Sequence, residues 1–342
     1  MKELIKKLSG LEGISGFEYR INREIEKLVS PYCDEARVDA LGNVIAVKYS
    51  GKQNAKKLLI EAHTDEIGLM VKNIDEKGFI TVVTVGGIDP RILPAMEVVI
   101  HGKKDVKAVV AAKSPHIMSD GEGKKAVSIE NVVIDTGLTA EEVKKYISVG
   151  DSITFSIRAK ELADGQLTGK SLDDRASVAV LLDVMKNISK MQIPVDVYAV
   201  FAVQEEVGGF GAMTAGFSIY PDFAIAIDVC HGITPDNSYC AYEIGGGAVI
   251  TLGPNIHPKM YELLMNTAKK HNIKFQTDVD GGNTGTDAWQ LQVIREGIPT
   301  GLLSIPLKYM HTVVEMVSVS DVVAVSELVT GFIGELSGEE EF

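Results

Sequence analysis

Thiols are scarce. Cys33, Cys230 and Cys240 are the only cysteines in 342 residues, an odd number without a C-x-x-C spacing, which argues against a secreted disulfide framework. Positive charge is also short: 34 Lys and Arg face 47 Asp and Glu, a net charge of −13. That acidity repels phosphate backbones, so no nucleic-acid partner is expected. No uninterrupted apolar run approaches the roughly 18 residues of a membrane span, and no membrane partner is expected either. The opening MKELIKKLSG carries charges every few positions and no apolar stretch, so no signal peptide is expected. G-x-G-x-x-G and G-x-x-x-x-G-K-[ST] spacings are missing around the Gly245–247 and Gly281–282 clusters, which excludes nucleotide binding there. No G-x-S-x-G elbow presents a serine nucleophile. What remains is a 45% hydrophobic, 24% charged chain, the balance of a cytoplasmic globular protein. Its length suggests about two domains, and a core large enough to fold without disulfides or a structural metal.

Strand–helix alternation dominates both ends of the chain. The first thirty residues read as helix, with Ile21, Ile25 and Leu28 at helical spacing. The run 57–63 (KLLIEAH) is apolar almost throughout and ends in polar residues, the pattern of a strand covered on both faces. After Leu167 come a helix at 173–187, strands at 195–203 and 223–229, and a helix at 260–270. A strand at 301–305 and a long amphipathic helix at 319–336 follow. Such alternation predicts an α/β fold, a mixed, mostly parallel sheet sandwiched by helices. Between them, short β-type runs at 79–85, 96–101, 106–112 and 153–157 are separated by Gly, Asp and Pro turns. The one helix there, 139–147, starts at Thr139 with Glu142 three residues on, a capping box. The expected division is a catalytic domain of 1–70 and 163–342, with a small β-barrel-like domain inserted at 71–162.

Ligands of open α/β sheets sit beyond the carboxyl ends of the strands, and there the polar residues gather. Strand 57–63 ends in His63-Thr64-Asp65, strand 195–203 runs into Gln204-Glu205-Glu206, and strand 223–229 ends around Asp228. His311 follows strand 301–305, and Asp173-Asp174-Arg175 opens helix 173–187. Two imidazoles and three carboxylates exceed what one catalytic zinc takes. They suit two divalent cations about 3.5–4 Å apart that share a bridging carboxylate. Neighbouring residues of extended chain point in opposite directions, so one of Glu205 and Glu206 can ligate while the other faces substrate as a base. Asp65, two residues from His63, points to the same side and can hydrogen-bond the imidazole.

Taken together, His63-Thr-Asp65, Leu172-Asp-Asp-Arg-Ala176, Glu205-Glu-Val-Gly208, Asp228-Val-Cys-His-Gly232 and the late His311-Thr resemble the M42 family of metallo-aminopeptidases. So does the Gly-rich Asp280-Gly-Gly-Asn-Thr-Gly-Thr-Asp287. The resemblance runs in order along nearly the whole chain and includes the β-rich insertion. It implies that Asp173 bridges two metals, His63 and Asp228 completing one site, Glu206 and His311 the other. Glu205 is then the general base and acid, and Asp65 orients His63. It further implies hydrolysis of N-terminal residues from short peptides by a metal-activated water. It also implies self-assembly, dimers forming a tetrahedral dodecamer with contacts through the inserted domain. Zn²⁺ or Co²⁺ suits the ligand set, with Mn²⁺ as a third option. Cys230 stands where the resemblance leads one to expect Thr or Ser.

Each candidate has a plainer reading. Asp173 and Asp174 can be helix-start acids at the positive end of the dipole, and for Asp174 that reading is preferred. His231 is a candidate ligand of lower rank, and His101, His116, His257 and His271 read as surface residues. Helix 319–336 reads as core or subunit interface. The rival functions are a deacylase or carboxypeptidase on the same metals, the latter needing an Arg clamp such as Arg175, and an endoglucanase-type glycosidase working with two carboxyls and no metal. An assembly protein with a degenerate site is the non-enzymatic rival. Which N-terminal residue is preferred stays open.

Overall fold

A computed structural model describes residues 1–118 and 126–342. The apolar runs form the strands that their burial requires. In chain order these are β1 (Glu35–Val38), β2 (Val44–Lys48), β3 (Lys57–His63), β4 (Gly68–Ile74), β5 (Ile80–Val85), β6 (Glu97–His101), β7 (Asp105–Val110), β8 (Val133–Asp135) and β9 (Ser152–Phe155). Then follow β10 (Lys160–Glu161), β11 (Gln166–Gly169), β12 (Asp196–Ala202), β13 (Phe223–His231), β14 (Ala248–Leu252), β15 (Phe275–Val279), β16 (Thr300–Lys308) and β17 (Glu315–Ser318). The helices are α1 (Lys2–Ser9), α2 (Tyr19–Val29), α3 (Ala140–Tyr146), α4 (Leu172–Ile188), α5 (Phe210–Ile219), α6 (Pro258–Lys270), α7 (Asp287–Leu291) and α8 (Val319–Glu335).

Eleven strands make one sheet in the order β1-β2-β12-β3-β13-β16-β17-β11-β10, with β14 joining β16 to β15. Its centre, β12-β3-β13-β16, is parallel, in register as Ala199↔Ile60, Ile225↔Ile60 and Ile227↔Leu303. Side chains alternate across it: Leu58, Ile60 and Ala62 pack with α1, α2, α4, α6 and α8, whereas Leu59 packs with α5 and α7. Helices on both faces explain why these strands are apolar throughout. Helix α8 buries Val322, Val325, Leu328, Val329 and Phe332 in this core, so its stripe is packed within the subunit.

The remaining strands close a barrel in the order β4-β5-β8-β7-β6-β9. Its interior is Val71, Ile80, Val98, Ile100, Ile134 and Phe155 with their neighbours, and β7 alternates exposed and buried residues strictly. The capping box forms as expected: Thr139 Oγ accepts from Glu142 N, and Glu142 Oε2 accepts from Thr139 N at 3.1 Å. The fold expectation therefore holds as a mixed sheet covered by helices plus a small barrel; the parallel part is the four-stranded centre with β14-β15, and the flanking pairings are antiparallel. One element differs. The first thirty residues are two helices, interrupted at 10–18, because Ile14 pairs with Glu66 beside β4. A Cβ on Gly68 would collide with the Ile14 side chain, so the close approach needs glycine there.

Candidate active site

Five elements deliver the polar residues to one place at the carboxyl ends of the parallel strands. His63 ends β3, Asp228 lies in β13 opposite Ser304, Asp173 opens α4, Glu205 and Glu206 follow β12, and His311 follows β16. His63 Nε2 lies 3.2 Å from Asp173 Oδ1, 3.9 Å from Asp228 Oδ1 and 4.0 Å from Glu205 Oε2. On the other side of the same carboxylate, His311 Nε2 lies 3.4 Å from Asp173 Oδ2 and 3.2 Å from Glu206 Oε2. Asp173 thus stands between the two imidazoles, one oxygen toward each.

Glu205 and Glu206 do diverge, though not as extended chain. β12 ends at Ala202, Gln204 is left-handed with φ 60°, and a turn closes with Gly208 N donating to Glu205 O at 2.9 Å. Gly208 and Gly209 both take positive φ, which the tight turn requires.

Asp65, fully buried, sits with Oδ1 3.4 Å from His63 Nδ1. It also accepts from Ser15 Oγ at 2.5 Å and from the backbone N–H groups of Glu205 and Glu206 at 3.1 Å each. One carboxylate therefore fixes both the imidazole and the loop carrying the two glutamates. His311 is held likewise: its Nδ1 meets Gly87 O, from the barrel, at 2.9 Å, and its N–H donates to Glu315 at 3.0 Å. With Nδ1 engaged, Nε2 is left facing Asp173 and Glu206.

Burial and mutual charge make this cluster demanding. Burial, then Asp173's charge, pushes Asp228 up to about 8 against the pull of His63. Burial pushes Glu205 up to about 10, with Asp228, Asp287 and Glu206 adding to it and His63 opposing. Burial acts on Asp173 in the same sense, but hydrogen bonds to His311 and His63 prevail and hold its carboxyl well below the carboxylate range. His311 rises to about 11, since Asp173 and Glu206 outweigh its own desolvation. Asp174 is fully buried with neither carboxylate oxygen hydrogen-bonded, and its pKa is raised by burial first, then by Asp228.

A buried carboxylate left without partners is costly unless positive charge reaches it. The described cations nearby are engaged elsewhere: Lys170 Nζ pairs with Glu66 at 2.5 Å, and Arg175 donates to the Leu8, Leu11 and Gly13 carbonyls. Arg175, buried completely, ties the start of α4 to the N-terminal segment rather than facing a substrate. Oxygen and imidazole donors converge in two groups, His63/Asp174/Asp228 and His63/Asp173/Glu206, with ligand atoms within 4.8 Å of one another. The donor set fits hard or borderline divalent cations. His231 joins neither group and stands exposed at the end of β13.

Residues 42–328 match the M42 glutamyl aminopeptidase family. The chain belongs to the M42 family. It is 33% identical over 340 residues to the lysyl aminopeptidase of Pyrococcus furiosus, covering 98% of this chain and 97% of that one. Its fold matches an aminopeptidase of the archaeon Desulfurococcus kamchatkensis with a TM-score of 0.91 at 36% identity, covering 98% and 95% of the two chains. It matches the Pyrococcus horikoshii TET1 peptidase with a TM-score of 0.87 at 30% identity, covering 98% and 99%. That peptidase can assemble into a tetrahedron or a large octahedral shell. This M42 chain is accordingly an aminopeptidase, and its site contains groups that can bind metal.

Several residues of this M42 site escape a reading of the sequence. Glu315, buried, accepts from the N–H groups of Leu172 (2.7 Å) and Asp173 (3.1 Å) as well as His311, so it links the two loops that carry Asp173 and His311. Its spacing of four from His311 is the only hint. Asp174, read as a helix-start acid, instead has non-helical φ/ψ and faces His63 and Asp228. Glu61, which carried no signal of its own, lies against Asp287 at the end of the Gly-rich motif, and burial raises both. His101 is also corrected: its side chain is 4% exposed, with Nε2 2.8 Å from Thr154 Oγ and Nδ1 beside Arg20 and Asp105. Arg20, from α2, covers what would otherwise be a surface strand end.

Proposed function

We propose that the protein is a co-catalytic two-metal aminopeptidase that removes N-terminal residues from short peptides. In this reading Asp173 bridges two divalent cations, His63 and Asp228 complete one site, and Glu206 and His311 the other. The observation that carries it is the Asp173 carboxylate, with one oxygen 3.2 Å from His63 Nε2 and the other 3.4 Å from His311 Nε2. Zn²⁺ or Co²⁺ suits these donors, Mn²⁺ less closely. Bound cations supply a Lewis acid for the scissile carbonyl and a more acidic water. The chain's residues do the rest. Glu205 takes the proton of the attacking water and passes it to the leaving amine. Its carboxyl is raised by burial and by negative neighbours, and positive charge among those neighbours draws it back toward the pH at which it accepts a proton. Asp65 keeps His63 oriented and holds the Glu205 backbone at the same time.

The rivals each lack a part. A carboxypeptidase wants a cationic clamp for the terminal carboxylate, and among the described residues neither Lys nor Arg lines the cleft. A metal-free glycosidase gives the two imidazoles no task among the carboxylates.

We further propose a homo-oligomer, dimers building a tetrahedral dodecamer, with the inserted domain 71–162 making contacts and limiting access to the catalytic domain of 1–70 and 163–342. Besides the TET1 likeness, support comes from the apolar face of α5 and α7. Phe210, Met213, Phe217, Trp289 and Val293 are all exposed there, a patch that suits a partner surface. Three unpaired cysteines agree with a cytoplasmic location.

The test is hydrolysis of aminoacyl-p-nitroanilides before and after chelation, with Co²⁺ or Zn²⁺ restored. Activity is expected to vanish and return. Glu205→Gln is expected to retain metal and lose most turnover, and full turnover in that variant would remove Glu205 from its role.

A further inference from the structure

The cleft holding the catalytic residues encloses about 740 Å³, more than the reacting atoms need. Its far wall is β15 with the chain around 239–242. The strand ladder fixes where that wall stands. Asp228 is in register with Ser304, Ser304 with Val249, and Val249 with Gln276, two residues before Asp278. Three strand spacings and two residues along put the Cα atoms of Asp228 and Asp278 about 15 Å apart. Both side chains line the same cleft, and the Cys230 thiol lies in the field of both carboxylates. A long side chain spans the gap between them.

The wall's charge is one-sided. Asp278 and Asp280 line it in addition to the residues assigned to metal and proton transfer, and among the described residues no Lys or Arg lines the cleft. Asp278 is fixed rather than mobile: Oδ1 accepts from the Tyr242 hydroxyl and Oδ2 from the Thr251 hydroxyl at 3.2 Å. Two neutral donors aim the carboxylate without cancelling its charge. Asp280, two residues on and just past the end of β15, lines the same cleft and accepts from Gly282 N at 2.9 Å. A recessed wall of one sign concentrates its field on whatever enters. An acidic side chain there meets like charge with no Lys or Arg of the lining to offset it, while an ammonium or guanidinium finds a charge-assisted partner.

We propose that this wall recognises a cationic side chain, so that the enzyme removes N-terminal lysine or arginine in preference to acidic residues, with Asp278 as the specificity-determining residue. The proposal rests on the aminopeptidase reading. The experiment compares kcat/KM of the metal-loaded enzyme on Lys-, Arg-, Leu- and Glu-p-nitroanilide, with calorimetric binding of lysinamide and leucinamide as a second readout. Lys and Arg are expected to exceed Glu by at least about 100-fold, and Asp278→Asn to lower the Lys/Leu ratio about tenfold, chiefly through KM and with a parallel loss in lysinamide affinity. Should Asp278→Asn fold poorly, Asp280→Asn is expected to lower the same ratio, by less. Hydrolysis of all four substrates with no basic preference, or ratios unchanged in both variants, overturns the specificity and leaves the aminopeptidase standing. No hydrolysis of any free-amine substrate overturns the aminopeptidase reading itself.

Discussion

The six-stranded barrel and the carboxyl edge of the eleven-stranded sheet draw on the same strand-forming residues and differ in what they bury. Between Gly68 and Phe155 the buried polar residues among those described are Ser152 and Thr154, with the His101 side chain tucked beside Thr154 at the barrel's end, and the rest of that interior is aliphatic or aromatic. At the sheet edge Glu61, His63, Asp173, Asp174, Asp228 and Glu315 are all buried. Apolar packing stabilises itself, contact by contact. A buried carboxylate cluster does the opposite until counter-charge arrives, because desolvation and repulsion both oppose ionisation. The barrel's stability is therefore intrinsic, and the site's is conditional on what it binds.

The strongest way to break that contrast is Asp173→Asn. The substitution keeps the shape and removes the charge that His63 and His311 share. Metal affinity is expected to fall by more than about 100-fold, beyond what an outer-sphere residue contributes, and activity with it. Metal analysis after dialysis checks this, and an unchanged metal content refutes the bridging role.

A second effect, somewhat smaller, separates the chelated from the loaded protein by pH. In the fold Asp287 sits near 6, Asp228 near 8 and Glu205 near 10, above ordinary carboxyls because of burial and neighbouring charge. The folded chain then holds protons that the unfolded chain has released by about pH 4–5, so their stabilisation is full below that pH and is lost as pH rises through 6 and 8. His63 and His311, both raised, act in the same sense, and His311 loses its contribution as pH climbs toward about 11. Asp173, held low, opposes only under strongly acid conditions. The chelated protein is thus expected to melt at a higher temperature at pH 6 than at pH 8.5. Metal binding runs the other way, since ligands must be deprotonated, and at a thousandfold excess over Kd it adds about 4 kcal/mol. Melting curves with and without chelator at the two pH values decide it; a chelated protein that gains stability toward pH 8.5 contradicts the account.

How much of this was legible in the sequence follows from the range of each interaction. The strand at 57–63 announces itself because both its faces are buried, and its polar end marks where ligands gather. The same local logic finds strands at 223–229 and 301–305, which the structure extends to Phe223–His231 and Thr300–Lys308. His63, Asp173, Glu205, Glu206, Asp228 and His311 line one cleft, with Asp65 buried behind His63, each at or just beyond a strand end or helix start that periodicity can locate. What stayed hidden is set by tertiary contact. Glu315 acts through two backbone loops, one of them more than 140 residues away. The Gly87 carbonyl that orients His311 comes from the barrel and carries no side-chain signal. His101 looks like a surface residue until Arg20 is laid across it. Arg175, adjacent to the Asp173-Asp174 pair, invites a role in the site, yet its guanidinium turns to the carbonyls of the N-terminal segment.

The contrast sharpens with a cavity in the barrel. Ile100 is fully buried there, and Ile100→Ala is expected to cost about 3 kcal/mol, transfer and cavity together. Denaturant unfolding reads the loss, and metal content per folded subunit is expected to stay unchanged, since nothing ionisable is exposed. A variant that lost metal in proportion to stability would mean that the barrel holds the site up directly, through Gly87 and His311.

The smallest effect tests the same independence at the barrel's rim. Thr139 caps α3, whose Val143 is buried against the barrel interior and whose Ala140 packs on Gly78. Thr139→Ala removes the hydroxyl that accepts from Glu142 N and is expected to cost about 1 kcal/mol. Thr139→Ser, which keeps the acceptor, is expected to recover most of it. Because the cap lies on the barrel and its side-chain hydrogen bonds run to Glu142, away from the catalytic residues, kcat/KM should not move in either variant. A change in turnover beyond the loss of folded protein would show the two regions to be coupled after all, through the barrel loop whose Gly87 reaches His311.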